Sequence, residues 1–182
     1  MPEYLPIMPN GAVVTVATDG GMLALWRGSA FADVDGYEAW EERVNERLAE
    51  AIQSGELVPV GIRGDGAFGV RVAVAPDAAT ERELRYTVVT SEPYLLVADG
   101  GAIFLSGIEA VGNAQSSPVT LSLAQGRYAV RASIVAWDEE PGGRGPDGLP
   151  TPNALPDFLV LIALSDGSEA FRTTEITFDP PG

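Results

Sequence analysis

Neither cysteine nor histidine occurs anywhere in the 182 residues. Without thiols there are no disulfides, thiolate nucleophiles, zinc–thiolate sites or iron–sulfur clusters. Without imidazole there is no Ser-His-Asp or Cys-His constellation, no HExxH zinc site and no histidine-ligated haem. Lysine is missing too: all 11 basic residues are arginine. That removes Schiff-base chemistry and the phosphate-binding lysine of a Walker loop. Long apolar runs are scarce. The longest, Phe158 to Leu164, is seven residues, against about 20 for a membrane-spanning helix. The first ten residues carry prolines at 2, 6 and 9 and no basic residue before an apolar stretch, so they do not read as a secretory signal. The expectation is a soluble, cytoplasmic protein with no membrane partner.

What the chain has in excess is acid. Its 26 Asp and Glu leave a formal charge of −15. Such a field repels phosphate backbones, so nucleic acid is not an expected partner, whereas encounter with a basic protein is accelerated. Repulsion also disfavours self-association, leaving a monomer or a weak homodimer through exposed sheet edges. A chain of this length buries enough surface to fold as one domain without metal or cross-link.

Short apolar or alternating runs separated by Gly, Pro, Asp and Ser recur from end to end: AVVTVA from Ala12, MLALWR from Met22, LVPVGIR from Leu57, FGVRVAVA from Phe68, ELRYTVVT from Glu83, YLLVA from Tyr94, AIFLSG from Ala102, VTLSL from Val119, RYAVRASIVAW from Arg127, DFLVLIALS from Asp157 and TTEITF from Thr173. These predict ten or eleven strands. RGDGAFG from Arg63 and ADGGA from Ala98 lead into strands, not helices, and read as hairpin turns instead of phosphate loops. One segment differs. From Gly36 to Gln53 the apolar residues Tyr37, Trp40, Val44, Leu48, Ala51 and Ile52 fall at helical spacing. Asp35 with Glu38 predicts a capping box, and Ser54-Gly55 a stop.

The chain also resembles itself. VATDGGMLAL from Val16 matches LVADGGAIFL from Leu96 at an offset of 80, and GAFGVRVAV from Gly66 matches GRYAVRASI from Gly126 at an offset of 60. Two related units are expected, about 12–90 and 94–178, the first carrying the helix as an insertion and both sharing one core. Within each matched strand the apolar face is Phe68, Val70, Val72 and Val74, or Tyr128, Val130, Ala132 and Ile134, with Arg71 and Arg131 on the other side. The expected fold is therefore mostly β, an antiparallel sandwich or barrel with one amphipathic helix.

Two regions are candidate partner-binding sites. The stretch from Asp33 to Glu56 has eight acidic residues and two arginines, and Glu38, Glu41, Glu42 and Glu46 lie on the outer helical face, where they could pair with a partner's cations. The segment Asp138 to Asp157 has nine Gly or Pro in twenty positions, the composition of a binding or mobile loop; Trp137, Asp138, Glu139 and Glu140 at its start form an aromatic–carboxylate cluster. Neither region completes the D-x-D-x-D-G…E calcium loop, so no metal, cofactor or catalytic residue is predicted.

The Gly126-x-Tyr128-x-Val130-Arg131 strand, the acidity and the β-rich pattern resemble bacterial immunity and nuclease-inhibitor proteins, including the competence-associated nuclease-inhibitor type. The resemblance implies a small protein that neutralises a basic toxin or nuclease by covering its active site. Two alternatives stay open, a carbohydrate- or calcium-binding β-sandwich and a hydrolase built on paired carboxylates.

Overall fold

The structure is a computed structural model that describes residues 11–113 and 118–178; the reading of the first ten residues concerns positions outside that range. Ten strands form two sheets: β1 (Val13–Thr18), β2 (Met22–Arg27), β3 (Leu57–Gly61), β4 (Gly66–Val74), β5 (Thr87–Thr90), β6 (Tyr94–Ala98), β7 (Ala102–Gly107), β8 (Val119–Ser122), β9 (Gly126–Val135) and β10 (Phe158–Leu164). The smaller sheet runs β3-β2-β7-β8. The larger runs β1-β4-β10-β9, and the far edge of the ten-residue β9 is shared end to end by β6 and β5. Among the described residues the protein is β-rich, with two sheets and no closed barrel.

The alternating faces read from the sequence meet in one apolar cluster. Val70, Val72, Val130, Ala132, Val160 and Ile162 of the large sheet pack with Leu23, Leu25, Ile103 and Leu105 of the small one. In β4 and β9 alternation places every second residue on the core face, whereas β2 and β3 are buried on both faces, Leu23–Trp26 and Leu57–Val60 being buried throughout. The register is the same in the two halves: Val14 lies opposite Val70 and Thr18 opposite Gly66, while Tyr94 lies opposite Val130 and Ala98 opposite Gly126. Between the halves, β2 and β7 run antiparallel with Leu25 opposite Leu105.

The sheets are not wholly antiparallel. β10 is antiparallel to β9 but parallel to β4. Since β4 and β9 run in opposite directions, any strand inserted between them must be parallel to one.

Four local expectations are corrected. The helix predicted from Gly36 to Gln53 is α1 (Gly36–Trp40), a wide turn at Glu41–Asn45 closed by Glu46 N–H to the Glu41 carbonyl, and α2 (Leu48–Ser54). A wide turn inserts one residue and shifts the helical phase by roughly 100°, so Val44, Leu48, Ala51 and Ile52 are buried while Tyr37 is 75% exposed. Asp35 makes no side-chain cap; Gly55 does end α2, in the left-handed conformation at φ 78°. The run from Glu83 begins as helix α3 (Glu81–Tyr86), not strand, because Thr80 and Glu83 close a reciprocal capping box that outweighs the alternation of Leu84 and Tyr86. Thr173 to Phe178 is not a strand. Instead the buried Thr177 hydroxyl donates to the Pro59 carbonyl and accepts from Gly61 N–H on edge strand β3, where Pro59 has no amide to offer.

Candidate functional site

α2 packs against both β3 and β6 and so spans one side of the gap between the sheets. Along the whole α1–α2 segment Val44, Leu48, Ala51 and Ile52 enter the core, and Glu38, Glu42, Glu46 and Glu50 stand in solvent. Glu41 is half-buried and accepts from the Asn45 amide at 2.7 Å. The two arginines of this segment behave differently. Arg43 turns inward, donating to Glu56 at 2.8 Å and to the Ala30 carbonyl at 3.1 Å while lying 4.8 Å from the centre of the Phe31 ring. Arg47 stays exposed. With Arg43 committed to Glu56, the outward face is more negative than its composition indicates.

The other sequence-predicted cluster lies at the opposite end of the large sheet. α2 meets β6 where Val97 N–H binds the Gly55 carbonyl, beside Arg127 at the start of β9, whereas Trp137 follows the end of β9. Eight to ten extended residues, about 30 Å, intervene.

At that end the carboxylates have internal work. Glu140 is paired with Arg82 of α3, which also donates to the Asn153 carbonyl. This bidentate contact raises the Arg82 pKa and lowers that of Glu140. Asp138 pairs with Arg144 at 2.9 Å, and the Arg144 guanidinium sits 5.7 Å from the Trp137 ring centre. Trp137 donates its indole N–H to Asp157 at 2.9 Å, and the other Asp157 oxygen accepts from Gly69 N–H at 2.8 Å. Glu139 is exposed. Beneath the loop, Leu155, Leu159 and Val135 form a second small apolar cluster with Tyr86 and Trp137 against it. The Gly- and Pro-rich loop is thus ordered by hydrogen bonds over the outer sheet face.

Arg71, matched with Arg131 by sequence, is not its structural equal. It makes a two-armed ion pair with Glu83 at 2.6 and 2.7 Å, with only 2% of the Glu83 side chain exposed. Burial pushes the Glu83 carboxyl up, but Arg71 and the Thr80 bonds pull it below its ordinary value overall. Arg131 is exposed.

A feature the linear pattern did not single out lies beside α1. Tyr37 stacks on Trp40 with ring centres 6.1 Å apart and planes 26° from parallel. Trp40 is held by its indole N–H, which donates to the Ile108 carbonyl at 3.0 Å. The rings line a cavity of about 610 Å³ whose wall also carries Asp35, Glu109 and Asn113. Glu109 is fixed by Thr18 Oγ1 on one carboxylate oxygen and Asp19 N–H on the other, at 2.9 and 3.0 Å. Gly112, at φ +86°, lets the chain approach Val34 so closely that an added Cβ would lie 2.6 Å from the Val34 Cβ. Tyr37 and Trp40 read as members of the apolar stripe, and Glu109 comes from the other half of the chain, so only their spacing was visible beforehand.

Among the described residues no group of three or more Asp or Glu is arranged to hold a metal, and no helix is long and apolar enough to cross a membrane. The carboxylates Glu83, Asp99, Glu140, Asp166 and Glu169 are all held below their ordinary pKa values by hydrogen-bond donors, the reverse of what a general acid requires.

No family model and no curated protein sequence matches the chain. Solved structures do. A protein described as crocagin biosynthetic gene J superposes with a TM-score of 0.57 at 16% identity, over 85% of this chain and 96% of that one. ComJ from Bacillus subtilis, the inhibitor of the DNA-degrading activity of NucA, superposes with a TM-score of 0.51 at 6% identity, over 88% of this chain and all of that one. At such identities the likeness is one of fold, and it agrees with the nuclease-inhibitor-type resemblance of the sequence.

Proposed function

We propose that this chain is a non-enzymatic acidic binding protein that neutralises a basic protein, a nuclease or toxin, by occupying its cationic surface. The observation that carries the reading is the exposed face of Glu38, Glu42, Glu46 and Glu50, whose neighbouring Arg43 is turned inward to Glu56, on a fold shared with a nuclease inhibitor. Carboxylates exposed to solvent along this segment steer a cationic partner and pair with its arginines and lysines after contact. Trp137, Asp138, Glu139 and Glu140 contribute less in this reading, since Asp138 and Glu140 already hold Arg144 and Arg82. The lack of histidine, cysteine and lysine supports binding over turnover. We also propose that units 12–90 and 94–178 are duplicates, supported by their common register.

The test is inhibition of DNA degradation by the basic nuclease encoded nearest to this protein in its genome. Stoichiometric protein is expected to abolish degradation, and the association rate is expected to fall about tenfold or more between about 10 and about 500 mM salt. A rate independent of salt overturns electrostatic capture, and undiminished degradation overturns the inhibitor reading.

A further inference from the structure

Resting on that reading but testable without it, we infer that the cavity between α1 and the 109–113 segment is a receptor for a single arginine side chain of the partner. Four observations converge. The cavity, about 610 Å³, is larger than one side chain requires. Tyr37, at 75% exposure, is the most solvent-exposed large hydrophobic residue described, and it lies stacked on Trp40 instead of folded into the core. The indole of Trp40 is anchored to the Ile108 carbonyl, so the aromatic platform does not have to be ordered on binding. The lining carries Asp35 and Glu109 and no arginine.

Each element matches guanidinium chemistry. A planar cation stacks on an aromatic face and is attracted by its quadrupole, most strongly over tryptophan. Its N–H fork is satisfied by a carboxylate that is already oriented. Glu109 is such a group: Thr18 and Asp19 each hold one of its oxygens, and the residue is exposed and lines the cavity. Glu38, on the same helix as Tyr37, adds negative field outside the cavity. Aromatic anchors surrounded by polar residues are where interface energy concentrates, and here the anchor adjoins the acidic helical face. The exposed glutamates attract the partner broadly; the cavity selects one residue of it.

The decisive experiment is titration of the isotopically labelled protein with a blocked Gly-Arg-Gly peptide, followed by NMR at the Trp40 indole and Tyr37 ring. Parallel titrations use the same peptide with neutral citrulline in place of arginine, and cellotriose. The arginine peptide is expected to shift these two residues saturably. Tyr37→Ala and, separately, Glu109→Gln are expected to weaken it roughly fivefold or more; Tyr37 is exposed, and glutamine keeps an acceptor for Thr18 or Asp19, so both variants fold. Equal binding of citrulline, binding of the sugar alone, shifts confined to other residues, or unchanged affinity in Tyr37→Ala each overturn the inference. The nuclease assay separates the two levels. Inhibition of the nuclease by the wild type with no arginine-peptide shift at Trp40 or Tyr37 defeats the arginine receptor and leaves the inhibitor function standing. Saturable arginine binding with no nuclease inhibited does the opposite.

Discussion

The two acid-rich regions have opposite physical roles. Around Trp137 the carboxylates are consumed internally: Glu140 clamps Arg82, Asp138 meets Arg144, and Asp157 bridges Trp137 to Gly69. Along the α1–α2 segment most of them face water, and the arginine that could have neutralised them, Arg43, points at Glu56. A carboxylate beside donors of its own chain builds architecture, while one without them projects field. The comparison predicts that substitutions at the loop end damage the fold and substitutions on the helical face damage only association.

The largest effect is expected beneath the loop. Glu83→Ala leaves the largely buried Arg71 guanidinium with only the Ala78 carbonyl as acceptor and opens the capping box of α3; loss of about 3 kcal/mol of stability is expected in urea unfolding. The pH dependence has a definite sign. Because the folded Glu83 pKa lies below its ordinary 4.5, the stabilisation is complete above that value and disappears as pH falls through the lower folded value. Glu83→Gln is therefore expected to flatten the acid limb of stability against pH below 4.5. An unchanged acid limb would show that Arg71 and Glu83 are not coupled.

A smaller effect is expected at Asp157. Its carboxylate serves the Trp137 indole and Gly69 N–H together, so Asp157→Ala leaves two donors unmet and is expected to remove about 2 kcal/mol. Hydrogen exchange should quicken in residues 137–157 before it does in β2 or β7. Uniform quickening would mean that the loop is not a separate unit of stability.

The smallest stability effect belongs to the helical face. The combined Glu38→Gln, Glu42→Gln and Glu46→Gln variant is expected to unfold within about 0.5 kcal/mol of the parent, with a much flatter salt dependence of partner association. A large loss of stability there would erase the contrast between the regions.

Much of the fold is legible in the sequence. Alternation at Phe68–Val74 and Tyr128–Ile134, turn residues at Asp19-Gly20 and Asp99-Gly100, and the spacing of Val44, Leu48, Ala51 and Ile52 reflect rules that operate within one element. What was misread involved competition between local signals or partners distant in the chain. The start of α3 alternates like a strand, yet the Thr80–Glu83 cap prevails. Tyr37 has helical spacing, but the wide turn at Glu41–Asn45 rotates it out of the stripe. Of the candidate site, the acidic face could be read directly. The aromatic cavity could not, because Glu109 is more than 70 residues from Tyr37.

By itself the sequence determined the excluded chemistry, the acidic field, the β-rich class and the core-facing side of the two matched strands, since these depend only on residue type and short-range periodicity. Only the tertiary structure decided which charges are spent and which are free. Whether a carboxylate meets an arginine depends on chain segments brought together from afar, as Arg82 is to Glu140 and Thr18 to Glu109, and no local pattern encodes that meeting.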